Sequence, residues 1–85
     1  MKINERFLIK SAGSFTVVLD KENPNNVIKI NSTAAEILDC VKDGKSEEDI
    51  VKYILSTYDI DSEKASEDVA GTVSRFKELG IICDW

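Results

Sequence analysis

The chain contains no histidine, a single proline, Pro24, and only two cysteines, Cys40 and Cys83. Without histidine the usual general base near neutral pH is missing. The cysteines stand far apart and outside any CxxC or Cys/His pattern, so a zinc or iron–sulfur ligand set is not available within the chain. They read as small, partly buried thiols in a reducing cytoplasm. The glycines at 13, 44, 71 and 80 are scattered, which excludes a glycine-rich phosphate loop. No uncharged stretch approaches the roughly 18 residues of a membrane helix, and residues 1–6 lack an apolar signal-peptide core, so membrane insertion and secretion are not expected. Basic residues are also short: 11 against 16 acidic ones, for a net charge of −5. Such a field repels polyanions and makes nucleic acid a poor partner.

The carboxylates do not assemble into a site either. Ser46-Glu47-Glu48-Asp49 is explained by helix capping and by compensation of the helix dipole. Asp59 and Asp61 start like a calcium loop, but Lys64 stands where that loop needs glycine, so a solvated turn is the better reading. The sequence therefore offers no catalytic residues, no metal site and no cofactor site.

What is present is a short chain of ordinary globular composition, 85 residues with 42 % hydrophobic and 32 % charged side chains. That length makes one domain spanning 1–85, which buries only about 60 % of its unfolded surface and has little room for a deep cleft. Phe7-Leu8-Ile9-Lys10 has strand character, and the small residues Ser11-Ala12-Gly13-Ser14 follow as a turn. Residues 15–20 alternate, with Phe15, Val17 and Leu19 on one face and Thr16, Val18 and Asp20 on the other, as in a strand with one buried face. A polar turn holding Pro24 leads to a third strand, Val27-Ile28-Lys29-Ile30. Three antiparallel strands in a meander follow. So small a sheet leaves at least one edge unpaired.

The hand-over from strand to helix comes within residues 26–38. Apolar residues at 34, 37, 38 and 41 mark one helix face. Ser32 or Thr33 is the expected cap, with Thr33 and Glu36 at capping-box spacing. This first helix should run from about 33 to 42 and stop at Gly44. A second is capped by Ser46 and carries Ile50, Val51, Ile54, Leu55 and Tyr58. A third, from about 62 to 79, is capped by Asp61 or Ser62 and carries Ala65, Val69, Thr72, Val73, Phe76 and Leu79, before a stop at Gly80. Ile81, Ile82, Cys83 and Trp85 form an apolar tail expected to pack back on the body. The fold class is α+β, with a three-stranded antiparallel sheet followed by three helices. Gly71 sits mid-helix on a flank shared with Lys64, Asp68, Arg75 and Leu79; it either admits another backbone closely or is a tolerated surface glycine.

These residues, read together, resemble a known family. Ile30-Asn31-Ser32-Thr33-Ala34-Ala35-Glu36-Ile37-Leu38, then Asp43-Gly44-Lys45-Ser46-Glu47-Glu48-Asp49-Ile50-Val51, Tyr58-Asp59-Ile60-Asp61, Glu67-Asp68-Val69 and Leu79-Gly80-Ile81-Ile82 are similar to the PqqD-like proteins, named after pyrroloquinoline quinone biosynthesis protein D. The likeness runs from about Phe7 to Ile82. It implies a winged-helix-like domain that binds the leader of a ribosomally made precursor peptide and presents it to a modifying enzyme such as a radical SAM maturase, a cyclase or a protease. The leader would lie as an added strand beside Val27, Ile28, Lys29 and Ile30, in a groove walled by Asp68, Val69, Thr72, Arg75 and Phe76. One face of that strand has to be buried, so Ile28 and Ile30 are core candidates as well.

The resemblance agrees with the residue-level reading, because strand addition requires an unpaired edge beside a partly apolar helix. The same exposed edge could pair with a second copy of the chain. Two other functions compete. A winged-helix DNA-binding regulator would lay its third helix in the major groove, but that helix carries more acidic than basic residues. A structural subunit of a maturase complex would touch no peptide itself.

Overall fold

Residues 1–83 are described by the structure, a computed structural model. The chain runs β1 (Lys2–Ile3), β2 (Phe7–Ala12), β3 (Phe15–Asp20), β4 (Val27–Ile30), α1 (Ser32–Lys42), α2 (Glu47–Thr57), α3 (Ser62–Glu78) and β5 (Ile82–Cys83). The fold is α+β: an antiparallel three-stranded sheet in the order β2-β3-β4, then three helices, with the two short strands β1 and β5 paired separately. The first sheet strand is longer than its hydropathy suggests. β2 continues through Ser11 to Ala12, and Ala12 pairs with Phe15 across the two-residue turn Gly13-Ser14. Gly13 has φ +68, the left-handed conformation that the first position of a type II′ hairpin requires.

Hydropathy alone would bury Phe15, Val17 and Leu19, but the structure buries the opposite face of β3. Val18 is fully enclosed and Asp20 is 3 % exposed, whereas Phe15 is 41 % exposed. The reason is the carboxylate of Asp20. Arg6 Nε and Nη2 donate to its two oxygens, each at 2.8 Å, the Glu22 amide donates at 2.9 Å, and the Asn26 side chain donates at 3.4 Å. A forked guanidinium and a backbone amide satisfy the carboxylate well enough to bury it. These partners come from the approach to β2, from beyond β3 and from the approach to β4, so the same contacts fix where the three strands align.

The helices start and stop largely where the caps indicate. Ser46 Oγ accepts from the Asp49 amide at 3.2 Å and Asp61 Oδ1 from the Lys64 amide at 2.7 Å, while Gly44 and Gly80 take φ +83 and +80 at the stops. The first helix differs. Its cap is Asn31, whose side chain accepts from the Ala34 amide at 2.8 Å. No Thr33–Glu36 capping box forms, because Glu36 instead accepts a hydrogen bond from the Tyr58 hydroxyl and ties α1 to the end of α2. α1 is the central helix, packed on β1, β3, α2 and α3. Its Ile37, Leu38 and Val41 meet Ile50 and Ile54 of α2 and Ala65, Val69, Val73 and Phe76 of α3 in one core. Leu79, expected on the buried stripe, is 43 % exposed, since the chain turns away at Gly80.

The two ends of the described chain close on each other, a pairing that two-residue strands give no period to announce. Lys2 and Ile3 pair antiparallel with Cys83 and Ile82. The Asn4 amide donates to the Ile81 carbonyl at 2.8 Å and its side chain to the Gly80 carbonyl at 3.0 Å. Ile81 and Ile82 thereby join the core, as expected of the tail; Trp85 lies outside the described residues. Cys40 and Cys83 are free, buried thiols, and burial pushes the Cys40 thiol up, which makes it a poor nucleophile.

Two stability effects are expected. The Arg6 hydrogen bonds hold the Asp20 carboxyl well below the usual carboxylate range, against the opposing effect of burial. A depressed folded-state pKa contributes stability that is complete above the ordinary range, about pH 4, and is lost as pH falls below it. Asp20→Asn should therefore be clearly less stable than the parent in urea melts at pH 7, with the gap narrowing by pH 3. Gly71 is exposed, and a Cβ there would meet nothing within 4 Å, so no backbone approaches it in the free protein. Gly71→Ala should raise stability by about 1 kcal/mol, or roughly 4–8 °C in Tm, measured by thermal unfolding.

Candidate functional site

β4 is an edge strand, and the position of its backbone groups follows from its register and one hydrogen bond. The Asp20 amide donates to the Asn26 carbonyl at 3.3 Å, in register with the pairs Val18↔Ile28 and Thr16↔Ile30. Antiparallel ladders alternate bonded and non-bonded pairs, so Ile28 and Ile30 exchange their N–H and C=O groups with β3. Val27 and Lys29 consequently point theirs away from the sheet, at a free edge. On the opposite side of β3, the bond from the Lys21 amide to the Arg6 carbonyl at 2.9 Å puts Val17 and Leu19 in the bonded pairs with β2, as a central strand requires.

Beside that edge lies a groove of about 360 Å³ between β4 and α3, closed at one end by the start of α1. Its apolar floor is Ile30 and Phe76, both nearly buried. Its walls are Thr72, Asp68 and Arg75 of α3, Lys29 of β4, and Asn31, Thr33 and Ala34 at the α1 junction. The position of α3 follows from its sequence. The stripe Ala65, Val69, Val73 and Phe76 is drawn into the core, which turns Asp68, Thr72 and Arg75 toward the groove.

The charges of the groove are not equivalent. Asp68 is engaged by Lys64 Nζ at 3.0 Å, which raises the lysine's pKa through that hydrogen bond, although the pair is exposed and contributes little to stability. Arg75 is exposed and makes no ion pair among the described residues. Lys29 Nζ lies 4.5 Å from the centroid of the Phe15 ring. The positive end of the α1 dipole opens on the same groove. In a chain of net charge −5, the groove thus has the exposed Arg75 guanidinium and a helix N-terminus at its rim, while the Lys29 ammonium lies over Phe15 on the outer face of the sheet. Among the described residues no cluster of three or more potential metal ligands occurs, and no helix is long and apolar enough to cross a membrane.

Of the residues singled out by sequence, Lys29, Ile30, Asp68, Thr72, Arg75 and Phe76 come together around the groove. Val27 stands on the outer face of the sheet, 54 % exposed, and contributes its backbone to the edge. Ile28 is half-buried on the inner face, and Val69 is fully buried in the helical core. Sequence reasoning did not assign Asn31, Thr33 and Ala34 to the groove. Their only signal was the strand-to-helix junction, which explains them as well by capping as by binding.

A family model described as Coenzyme PQQ synthesis protein D (PqqD) matches residues 16–82. Two solved structures share the fold. One, described as TbiB1 in complex with the TbiA(beta) leader peptide, aligns with a TM-score of 0.88 at 18 % identity, over 100 % of this chain and 98 % of its own. The other, lasso peptide synthetase B1 complexed with the leader peptide, aligns with a TM-score of 0.87 at 25 % identity, over 98 % of this chain and 96 % of its own. No curated protein matches the sequence.

The inferred edge makes a direct prediction about proline. Ile28→Pro removes a donor inside the ladder and leaves a β3 carbonyl unpaired, which should cost about 1–3 kcal/mol of stability. Lys29→Pro removes a donor that faces outward and should cost well under that, since edge positions tolerate proline. Chemical denaturation of the two variants side by side measures the difference; equal costs would mean that β4 has no free edge at Lys29.

Proposed function

The chain belongs to the PqqD family, and from that premise we propose that it binds the leader segment of a ribosomally synthesised precursor peptide and holds it for a modifying enzyme. The observation that carries this reading is the free β4 edge at Val27 and Lys29 running along a groove with an apolar floor. An extended peptide adds a fourth strand there. Its backbone bonds to the outward N–H and C=O groups of Val27 and Lys29, each bond adding roughly 1 kcal/mol net. Because side chains alternate in a strand, every second leader residue drops over Ile30 and Phe76 between sheet and helix, while the others face outward beside Val27 and Lys29.

Affinity then comes from the backbone and selectivity from the groove. The floor takes aliphatic or aromatic leader side chains. Arg75, with the α1 N-terminus nearby, favours a leader bearing a carboxylate at that point, whereas Asp68 is already engaged by Lys64. The role is one of binding: the chain supplies a rigid strand edge and the partner enzyme supplies the chemistry. The reading is supported by the two structural neighbours, each of which holds a leader peptide. A dissociation constant in the micromolar range or tighter, about −8 kcal/mol or stronger, is expected.

Amide NMR of labelled protein, titrated with synthetic leaders of short peptides encoded beside its gene, tests this. Shifts should concentrate at residues 27–31 and at Asp68, Thr72, Arg75 and Phe76; a set of leaders that moves none of these would refute the reading. With a leader that binds, Lys29→Pro should weaken affinity about fivefold through the lost backbone bond. Arg75→Glu should weaken binding of an acidic leader by a similar factor, about fivefold, without changing Tm, and the loss should shrink in high salt.

A further inference from the structure

The unexpected orientation of β3 leaves a second surface that leader binding does not use. The outer face of the sheet is built of three rows, read from the register: Leu8, Leu19 and Val27; Lys10, Val17 and Lys29; and Phe15. Leu8, Phe15 and Val27 are 47, 41 and 54 % exposed, three of the five large hydrophobic side chains exposed among the described residues. Among the described residues no helix covers this face, because all three pack on the opposite side with Val18, Ile30 and Phe7. A contiguous apolar area on a small protein marks an interaction surface.

Resting on the leader-binding reading above, we propose that this outer sheet face is the docking surface for the enzyme that modifies the bound peptide. Two observations select that occupant. Among the described strand residues that face outward, the charged side chains are Lys10 and Lys29, although acidic residues outnumber basic ones in the chain. Stacking two copies face to face would bring four lysines together around an apolar centre with no carboxylate to meet them. A different protein, with an apolar patch rimmed by Asp and Glu, is complementary. The face is also continuous with the peptide site. A leader added at β4 becomes the next strand of the same sheet, and its outward side chains extend the face past Val27 and Lys29. An enzyme seated there touches the bound leader directly, so the peptide is delivered at the contact that recruits the enzyme.

The test separates the two surfaces. Leu8 and Lys10 lie on β2, the strand farthest from the groove. Leu8→Asp and Lys10→Glu are made singly in the full chain. Each is titrated with the synthetic leader and, separately, with the purified modifying enzyme encoded beside the gene. The expected result is leader affinity unchanged within about twofold, with enzyme affinity lowered about tenfold or more by Leu8→Asp and less by Lys10→Glu. Enzyme affinity unaltered in both variants overturns the proposal. Sedimentation of the parent protein supplies the other arm: a dimer that Leu8→Asp converts to monomer would make a second copy the occupant and also overturn it. Should Leu8→Asp fail to fold, the charge reversal at Lys10 decides alone. Failure of the parent protein to bind any leader would instead strike the proposed function, and is read in a different titration.

Discussion

A single buried carboxylate sets the geometry on which the site depends. Asp20 receives the Arg6 guanidinium, the Glu22 amide and the Asn26 side chain, and so gathers the approaches to β2 and β4 around the end of β3. Side chains alternate along a strand, so turning Asp20 inward also turns Val18 and Thr16 inward and sends Phe15, Val17 and Leu19 out. Through the ladder, the same choice decides that Ile28 and Ile30 bond to β3 while Val27 and Lys29 face the free edge. A slip of one residue would exchange the two sets and place the edge backbone groups of Val27 and Lys29 inside the sheet. On the proposed leader-binding reading, register serves function as well as stability.

The helical half serves the same end by different means. α1 starts one residue after β4 ends, and Asn31 both caps it and lines the groove. That short connection brings the positive end of a helix dipole to the end of the channel. α3 is held by its buried stripe, and its position is secured by the closure of the chain ends, where Asn4 bonds to the Gly80 and Ile81 carbonyls. The groove therefore lies between a strand fixed by Asp20 and a helix fixed by the core. Neither wall rests on a long loop, and a rigid edge reduces the ordering cost of strand addition to that of the peptide.

The division of labour follows from the size of the chain. A domain this short cannot enclose a deep cleft, and a strand edge needs none: it offers backbone groups already in place and asks the ligand to supply the rest of the sheet. Exposing such an edge is a liability in general. Here the charged rim of the groove and the short length of β4 restrict what can pair with it. The apolar outer face is a comparable exposure on the other side of the edge, and both exposures make sense together if a peptide and an enzyme cover them in turn.

Much of this was legible in the sequence. Residues 15–20 and 27–30 alternate or run apolar as strands, the three helices carry their stripes at three-and-four spacing, and Ser46, Asp61, Gly44 and Gly80 mark their ends, because caps and periodicity are local properties of the chain. The resemblance carried by residues 30–38 and 43–51 pointed to the strand and helix that border the groove. Three things were decided only by tertiary structure. Which face of β3 is buried depended on Arg6 reaching Asp20 across the sheet, a choice that alternation alone left open. Val69 went to the core and Asn31, Thr33 and Ala34 to the groove because the rotation of α3 and the entry angle of α1 are set by packing. The pairing of Lys2 with Cys83 joins the two ends of the described chain, and nothing local encodes a contact whose partners lie at opposite ends of the sequence.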